Sequence, residues 1–441
     1  MLHLTDITKG YRTKRCKVFD KLWTENTYEY KVPKKSFCSD TCGLFGYGYQ
    51  DPYWFQCEEK IMPDIHFFFS NNETCHVRSE KGIKDPNNAA CIKEVSEFLS
   101  KSSTNDVFAN KLVYITHGFG EGLEKRYLNR NWMIELKNST LQRYAWENGD
   151  TVVVGIVSWE IGANMKPQQQ EIEGQNMPQM GEKYKSLICC HPRSLPWKPL
   201  ILPLNYGVAS ANTWAVGNIL AYVNRKISLA FNTKSYTTSC IGHSLGAQVC
   251  GFFGKMSKKL EPKITVDKII GLDPAGPIFD LKEQDISLRL NKYDASNVEI
   301  FHTNSLLYGY RNPIGDVDFY INGGNYQYGK PGKIARYKDA ITVRSHSMPV
   351  DLLISINIIY FHCFANWKCS ITDGYELVDI TTEDRPALES KSCFKTSSNV
   401  TLGDLDALNT NLTGIYWIDV ASNSTTCPYD RGSLHQINAI T

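Results

Sequence analysis

One short segment, SCIGHSLGAQVCG from Ser239 to Gly251, places a serine between two glycines. A G-x-S-x-G pattern after an apolar strand and before a helical run is typical of a nucleophile elbow, a sharp turn that projects a serine hydroxyl. The same turn would leave the backbone N–H of Leu245 at a helix start, free to bind an oxyanion. An ordinary surface turn is the alternative. The setting favours Ser244 as the nucleophile of an acyl-transfer reaction.

Two other strand ends carry groups that this chemistry needs. Asp273 ends the strand in KIIGLDPAGP, where a carboxylate can orient an imidazole; a turn aspartate that caps its own backbone is the alternative. In VYITHGF, Phe119 follows a glycine directly after a strand, where a second oxyanion donor is expected. His117 in the same segment is interpreted as a buried histidine with satisfied hydrogen bonds.

The base is not decided by the residues alone. Serine is a poor nucleophile without an adjacent base, and the order Ser, acid, His leaves His302, His346, His362 and His435. His302 ends the apolar strand NVEIF, and His346 lies in the polar turn RSHSM before a helical run. His362 is expected in the core and His435 lies near a loose terminus. The choice between His302 and His346 stays open at this level.

Short apolar runs that alternate with helical patterns must position these groups. Strands are expected in DIHFFF, KLVYITHGF, TVVVGIVSW, YTTSCIGHS and VDKIIGLDP, and helices in WMIELKNSTLQRY, VASANTWAVGNILAYV and LGAQVCGFFGKM. Buried strands that alternate with helices predict an α/β fold, with a mainly parallel sheet covered on both faces. In an open parallel sheet, chemistry collects beyond the carboxyl ends of the strands.

Two segments do not fit this alternation. Residues 1–60 hold four cysteines with little periodicity and are predicted to form a stapled extension, with partner binding as the alternative. Residues 164–204 are rich in Gln, Pro and Lys and are predicted to be a long inserted loop, with a wrongly predicted gene segment as the alternative.

Composition excludes some classes of protein. The chain has 441 residues and a formal net charge of +2, which gives no reason to expect a nucleic-acid partner. The most apolar run, VDLLISINIIYF, is too short and too polar for a transmembrane segment. The 14 cysteines lack zinc-site spacing and, with five Asn-x-Ser/Thr sites, favour an oxidising, secretory compartment. The first residues contain no apolar core of a signal peptide, so we expect that the start of the gene product is missing; a different compartment is the alternative.

Six longer motifs resemble the pancreatic lipase family, which includes secreted phospholipases A1. YITHGF, GHSLGAQVCGFFGK, IIGLDPAGPIF, RLNKYDASNVEIFHTN, GDVDFYINGG and SHSMPVDLLI occur here in the family's order. The resemblance covers roughly residues 60–430 and implies an α/β-hydrolase lipase domain over 61–432, with a C-terminal tail over 433–441.

By this resemblance, Ser244 is the nucleophile, Asp273 the acid and His346 the base of a catalytic triad. His346 matches the family's Ser-His dipeptide before a helix, whereas His302 falls in a structural His-Thr element. The implied oxyanion donors are the backbone N–H groups of Phe119 and Leu245.

The resemblance also bears on the substrate. Lys333 and Arg344 stand where the family's triacylglycerol lipases have two lid cysteines, which leaves a short lid over 334–343. The loop NSLLYGYRNPI is short as well. Both features resemble phospholipase A1, and they imply a secreted serine esterase that releases the sn-1 acyl chain of phospholipids at a lipid–water interface. A triacylglycerol or carboxylester lipase is the second reading, and a non-catalytic lipid-binding or storage protein the third.

Several positions depart from the family's pattern. Ile286 and Asn291 stand where acids are usual in the family's calcium site, so only Asp294 remains and no metal or other cofactor is expected. The resemblance ends near LGDLDALNTNLTGIYWIDV, so neither a C-terminal β-sandwich nor a colipase partner is expected. A Cys369–Cys393 disulfide is implied by the family's late cysteine-rich region. Cys240 and Cys250, on either side of the elbow, are interpreted as buried thiols or as local packing.

Overall fold

A computed structural model of the chain describes most of its central part. The described residues are 62–82, 84–100, 109–123, 131–164, 204–230, 236–261, 263–280, 286–305, 307–324, 327, 343–359, 402–406, 413–418 and 420, with the backbone of six short strands at 11–15, 29–33, 186–189, 200–203, 367–369 and 393–395. The predicted lid (334–343, except Val343), His362, His435 and the cysteines of residues 1–60 lie outside this part.

The strands, in chain order, are β1 (Tyr11–Arg15), β2 (Glu29–Pro33), β3 (Asp64–Phe69), β4 (Thr74–Arg78), β5 (Asn110–Thr116), β6 (Thr151–Ser158), β7 (Ser186–Cys189), β8 (Leu200–Pro203), β9 (Thr237–His243), β10 (Lys268–Leu272), β11 (Asn297–His302), β12 (Val317–Ile321), β13 (Trp367–Cys369), β14 (Cys393–Lys395) and β15 (Gly414–Ile418). The helices are α1 (Pro86–Ser100), α2 (Trp132–Thr140), which a π-helical turn continues over Leu141–Glu147, α3 (Glu160–Asn164), α4 (Leu204–Leu229), α5 (Leu245–Ser257) and α6 (Val343–Ile359). Single 3₁₀ turns cover Ser79–Lys81 and Ile286–Leu288.

Eleven strands form one mixed sheet in the order β14-β13-β15-β12-β11-β10-β9-β5-β6-β3-β4. The seven central strands, from β15 to β6, pair in parallel. The strands at both edges pair antiparallel. The predicted mainly parallel sheet is therefore confirmed.

Helices cover the sheet on both faces, because its central strands are apolar on both sides. Every residue of β5, β9, β10, β11 and β12 is buried. One core cluster joins the sheet to α1, α4 and α5, and a second joins it to α2 and α6. Continuous apolar runs are the sequence signature of strands buried in this way.

Two of the departing segments contain secondary structure. Within 164–204, β7 and β8 pair as a separate two-stranded antiparallel sheet, and α4 begins at Leu204, four residues before the helix expected from the sequence. Within 1–60, β1 and β2 also pair antiparallel.

Two disulfides are present among the described cysteines. Cys75 bonds Cys91 and ties β4 to α1. Cys240 bonds Cys250, with 5.7 Å between their Cα atoms, so the interpretation of these two as buried thiols is wrong. The elbow reverses the chain, and this brings the middle of β9 and the middle of α5 side by side.

Cys369 and Cys393 lie on the neighbouring strands β13 and β14. The register of β13 and β14 places Cys369 opposite Cys393, the pair that the family resemblance implied. Their side chains lie outside the described atoms, and the bond between them stays a prediction.

Buried ion pairs lie at the amino ends of the parallel strands. Lys268 Nζ lies 2.8 Å from Glu299 Oε2 and donates to the backbone oxygen of Asp404 at 2.7 Å. The backbone N–H of Gly403 donates to the other Glu299 oxygen at 2.6 Å. These contacts hold residues 402–406 against the sheet, at the edge opposite the strand ends that carry the candidate catalytic groups.

Candidate active site

Ser244 lies in the turn between β9 and α5 and has a strained backbone, with φ 56° and ψ −120°. Its N–H donates to the carbonyl oxygen of Leu272 on β10 at 3.0 Å. A Cβ at Gly246 would lie 2.8 Å from the carbonyl oxygen of His117, so only glycine lets the start of α5 pass beneath β5. This is the geometry of a nucleophile elbow, in which the turn lifts the serine out of the helix.

Asp273 follows β10 immediately and is fully buried. One carboxylate oxygen accepts the backbone N–H groups of Thr303 and Asn304, at 2.8 and 3.0 Å. The other lies 2.6 Å from Nδ1 of His346. Three hydrogen bonds thus fix the carboxylate and direct it at one imidazole.

His346 lies in the first turn of α6, and its residue is only 6% exposed. Burial lowers the pKa of the imidazole below its ordinary value; the hydrogen bond and charge of Asp273 oppose that shift, and the charge of His243 adds to it. With Nδ1 held by Asp273, the other ring nitrogen is left for proton transfer. Such a ring can act as a general base at neutral pH because its neutral form is favoured.

His302, the other histidine that the sequence left open, has different partners. Its ring lies 2.8 Å from Oδ1 of Asp318 and 2.9 Å from the carbonyl oxygen of Tyr310, and it stacks on Tyr320. Both ring nitrogens are therefore engaged away from Asp273. The geometry brings His346, and not His302, to the candidate acid.

The loop after β5 contacts the elbow directly. A Cβ at Gly118 would lie 2.7 Å from Cβ of Ser244, so this glycine permits the close approach. Phe119 follows it, with its ring edge-on to Tyr206 at 5.2 Å. Leu245 is the first residue of α5, so its N–H has no acceptor within the helix. Both candidate oxyanion donors therefore adjoin the candidate nucleophile.

His117 is held by Trp159, as expected for a buried structural histidine. Its Nε2 accepts the backbone N–H of Trp159 at 3.0 Å, and its carbonyl oxygen accepts the indole N–H at 2.9 Å. The two rings stack at 5.4 Å.

Two buried residues beside the triad positions received no role in the sequence analysis. His243 Nδ1 lies 3.1 Å from Glu121 Oε1, and His243 Nε2 lies 2.8 Å from the carbonyl oxygen of His346. Glu121 Oε2 accepts the N–H of Gly118 at 3.1 Å and the indole N–H of Trp132 at 3.2 Å. An isolated acid in the apolar surroundings of HGFGEG was the available signal, but its partner lies 122 residues away.

The charges of this pair support one another. Burial alone would raise the pKa of the Glu121 carboxyl, but the charge and hydrogen bond of His243 hold it below its usual value. Burial alone would lower the pKa of His243, but the charge and hydrogen bond of Glu121 raise it above its usual value.

Two groups of acidic or imidazole side chains among the described residues bear on metal binding. Asp294, the last acid of the family's calcium pattern, lies 2.5 Å from Lys255 Nζ and accepts the N–H of Asn291 at 2.9 Å, so it is paired with a cation already. One cluster, Asp64, His66 and His76, brings possible ligand atoms within 4.8 Å of one another. The two imidazoles stack in nearly parallel planes 4.0 Å apart, so their lone pairs do not converge on one ion.

The described helices include none that is both long enough and apolar enough to cross a bilayer.

Comparison with known proteins gives consistent matches. Residues 197–343 match the family model named Lipase. Similar curated relatives include Phospholipase A1 of Vespula squamosa (46% identical over 126 residues), Phospholipase A1 1 of Dolichovespula maculata (43% over 124) and Phospholipase A1 of Vespa crabro (42% over 127). The matched stretches cover 29%, 28% and 29% of this chain and 41%, 38% and 40% of the relatives. The chain thus spans about two fifths of the length of the relatives that it matches.

Proposed function

We propose that this chain is a phospholipase A1-like member of the lipase family and a serine esterase that hydrolyses the sn-1 ester of phospholipids. The observation that carries the proposal is the 2.6 Å contact between His346 Nδ1 and Asp273 Oδ2, beside a serine with φ 56° at the neighbouring strand end. The substrate class is taken from the names of the similar proteins, which are phospholipases A1.

The proposed mechanism uses groups from three strand ends and one helix. His346 takes the proton of the Ser244 hydroxyl as the oxygen attacks the ester carbonyl, while Asp273 holds the imidazole and stabilises its charged form. The backbone N–H groups of Phe119 and Leu245 bind the oxyanion. The alcohol product leaves with the proton from His346, and water then hydrolyses the acyl-enzyme by the same route.

The fold and the compartment belong to the same proposal. The strand order, with antiparallel strands β4 and β3 before seven parallel strands, supports an α/β-hydrolase domain, since the candidate nucleophile follows a central strand of that sheet. Two disulfides support passage through an oxidising compartment. Two predicted glycosylation sites, Asn72 and Asn138, are exposed, as secretion and glycosylation require.

The test is a competition assay on the purified protein. A phospholipid with distinguishable sn-1 and sn-2 chains is offered together with a triacylglycerol, to wild type and to Ser244→Ala. We expect release of the sn-1 chain by wild type and a loss of roughly 10⁴-fold or more in Ser244→Ala. Ser257→Ala, a buried serine at the end of α5, is the matched control and should retain activity.

Each other outcome has a definite meaning. Preferential hydrolysis of the triacylglycerol would show that the preferred substrate is a neutral lipid and not a phospholipid. The proposed mechanism would be unaffected. Hydrolysis that survives Ser244→Ala would exclude the mechanism. If neither substrate is cleaved and a fluorophosphonate probe does not label Ser244, the protein is a lipid-binding relative and not an esterase.

A further inference from the structure

His243, the residue before the candidate nucleophile, has a hydrogen-bond acceptor at each ring nitrogen. Nδ1 faces a carboxylate oxygen of Glu121 at 3.1 Å and Nε2 faces the carbonyl oxygen of His346 at 2.8 Å. Neither a carboxylate nor a carbonyl oxygen donates a hydrogen bond. A neutral imidazole has one bare nitrogen, which would meet an acceptor lone pair here, whereas an imidazolium donates to both.

We propose that His243 is held as an imidazolium by Glu121 and acts as a positioning residue that joins the oxyanion loop, the elbow and the helix that carries the base. The inference rests on the proposed esterase function for its kinetic consequences. Its structural part, a doubly protonated ring, rests on the acceptors at both ring nitrogens and on an ionised Glu121, whose other oxygen accepts two N–H groups.

The site is built to hold a charge. His243 is 1% exposed and Glu121 3% exposed, so water does not satisfy either group. A buried charge is tolerated only when it is paired and hydrogen-bonded. The imidazolium has two acceptors, and the carboxylate accepts three donors in total, from His243, Gly118 and Trp132.

Glu121 and His243 contact both the loop that carries a candidate oxyanion donor and the helix that carries the candidate base. Glu121 fixes the N–H of Gly118, one residue before the candidate oxyanion donor Phe119. His243 fixes the carbonyl oxygen of His346, in the first turn of α6. Removal of either partner would therefore loosen the oxyanion loop and the base together.

The charge also acts on the base. The ring centroids of His243 and His346 are 4.7 Å apart, so an imidazolium at 243 disfavours a proton on His346. The charged and titratable groups around this ring are Glu121 from the β5 loop, Asp273 from the β10 end, His346 from α6 and, through Glu121, His117. Both carboxylates, Glu121 and Asp273, favour the protonated form of each of the two rings, Glu121 more strongly at His243 and Asp273 more strongly at His346.

The first test observes the ring without any assay of activity. Nitrogen-15 NMR of histidine-labelled wild type, with the signal of residue 243 assigned by its absence in His243→Gln, should show protons on both ring nitrogens from pH 6 to 8. A signal of a singly protonated ring in that range would overturn the proposal. This result holds whether or not the protein proves to be an esterase.

The second test uses the pH dependence of kcat/KM on a soluble short-chain ester. In His243→Gln the side-chain amide can still donate to the His346 carbonyl but carries no charge. We expect the acid limb to move to higher pH by at least about half a unit, because the like charge near His346 is gone. His243→Asn, which is too short to reach His346, should lower kcat by a further factor of about ten with little change in KM.

A matched control separates this effect from a general loss of stability. Glu299→Gln breaks a buried pair at the opposite edge of the sheet and should destabilise the fold without moving the acid limb. If His243→Gln leaves the acid limb where it is in wild type, the charge of His243 does not act on the base and the proposal fails. If His243→Gln does not fold, His243→Asn supplies the NMR assignment, and the wild-type spectrum then decides the protonation state.

Discussion

Ser244 and Asp273 both have positive φ angles, 56° and 43°, although each carries a Cβ. Such a conformation costs on the order of 1–2 kcal/mol per residue. Backbone hydrogen bonds to Leu272 and Phe301 on neighbouring strands oppose that cost and hold both turns. At both positions a strained backbone conformation directs a candidate catalytic side chain, which is the pattern expected of a reactive site.

Sequence reasoning found the candidate nucleophile, acid and oxyanion donors because each follows a recognisable strand. The local patterns alone could not choose between His302 and His346, and the choice of His346 came from the family resemblance. In the structure it is His346 that contacts Asp273, whereas His302 contacts Asp318. Sequence reasoning assigned no role to the Glu121–His243 pair for a different reason. A salt bridge between residues 122 positions apart leaves no local pattern in the sequence.

A first prediction concerns the pH profile of wild type. Because burial lowers the pKa of His346, its neutral and basic form persists to lower pH than in a free histidine. The acid limb of kcat/KM should therefore have its midpoint below pH 6.5, the ordinary histidine pKa. Hydrolysis of a soluble ester between pH 4.5 and 8 measures it, and a midpoint above 7 would contradict the direction of this shift.

A second prediction concerns Asp280, whose pKa is raised by burial to about 6. The folded state binds this proton more tightly than the unfolded state, so the stabilising contribution is complete below the unfolded pKa of 3.8 and is lost as the pH rises through about 6. Asp280→Asn, which resembles the protonated acid, should be more stable than wild type at pH 8 by about 1–2 kcal/mol and similar to it near pH 4.

Urea unfolding of Asp280→Asn and wild type at the two pH values gives the comparison. Asp280→Ala is the control, since it removes the charge together with the hydrogen bond from the backbone of Arg311. Equal gains in the alanine and asparagine variants would attribute the effect to the charge alone. A loss of stability in Asp280→Asn at pH 8 would refute the prediction.

At the scale of elements, periodicity located the central strands and helices well and their ends less well. The helix expected over VASANTWAVGNILAYV extends in the structure over Leu204–Leu229, because the residues that flank this run continue the helix and nothing in the run itself indicates that. The helix expected over WMIELKNSTLQRY changes to a π-helical turn at Leu141. A local pattern does not report such a change of hydrogen bonding.

The Cys240–Cys250 disulfide is the covalent element of the elbow, and it carries a third prediction. A loop of this length restricts the unfolded chain, so Cys240→Ala with Cys250→Ala should cost about 2–3 kcal/mol in the free energy of unfolding. It should also reduce activity, because β9 and α5 would no longer be tied together around Ser244. Urea unfolding and ester hydrolysis measure the two effects.

The control for that pair is the double alanine variant of Cys75 and Cys91. This disulfide joins β4 to α1 at the far edge of the sheet and closes a loop of similar length. We expect a comparable loss of stability and full activity per folded molecule. Equal losses of activity in the two double variants would show that the elbow disulfide acts only through global stability.

At the scale of the whole molecule, one sheet separates two apolar layers. Different groups lie at the carboxyl ends and at the amino ends of its parallel strands. The carboxyl ends of the strands carry the candidate catalytic groups. The amino ends carry Lys268 and Glu299, whose pairing also binds residues 402–406 through Gly403 and Asp404. The sequence indicated neither role for this lysine and glutamate, because each lies within a strand that reads as apolar.

This arrangement gives a fourth prediction. Lys268→Met leaves Glu299 buried without its cation and should cost about 3–5 kcal/mol in the free energy of unfolding. Adding Glu299→Leu should recover only part of that loss, because Gly403 N–H and the Asp404 carbonyl still lack partners. Urea unfolding of the single and double variants measures the difference, and full recovery in the double variant would show that residues 402–406 need no anchor here.

The groups of the proposed site come from segments that lie far apart along the chain, at residues 118–121, 242–246, 273 and 346. The stretch that matches the Lipase family model, 197–343, contains Ser244 and Asp273 but ends before His346 and begins after Phe119. A splice variant or proteolytic product limited to that stretch would still be identified as a lipase by homology. By the proposed mechanism it would lack the base and one oxyanion donor, so we expect it to have no esterase activity.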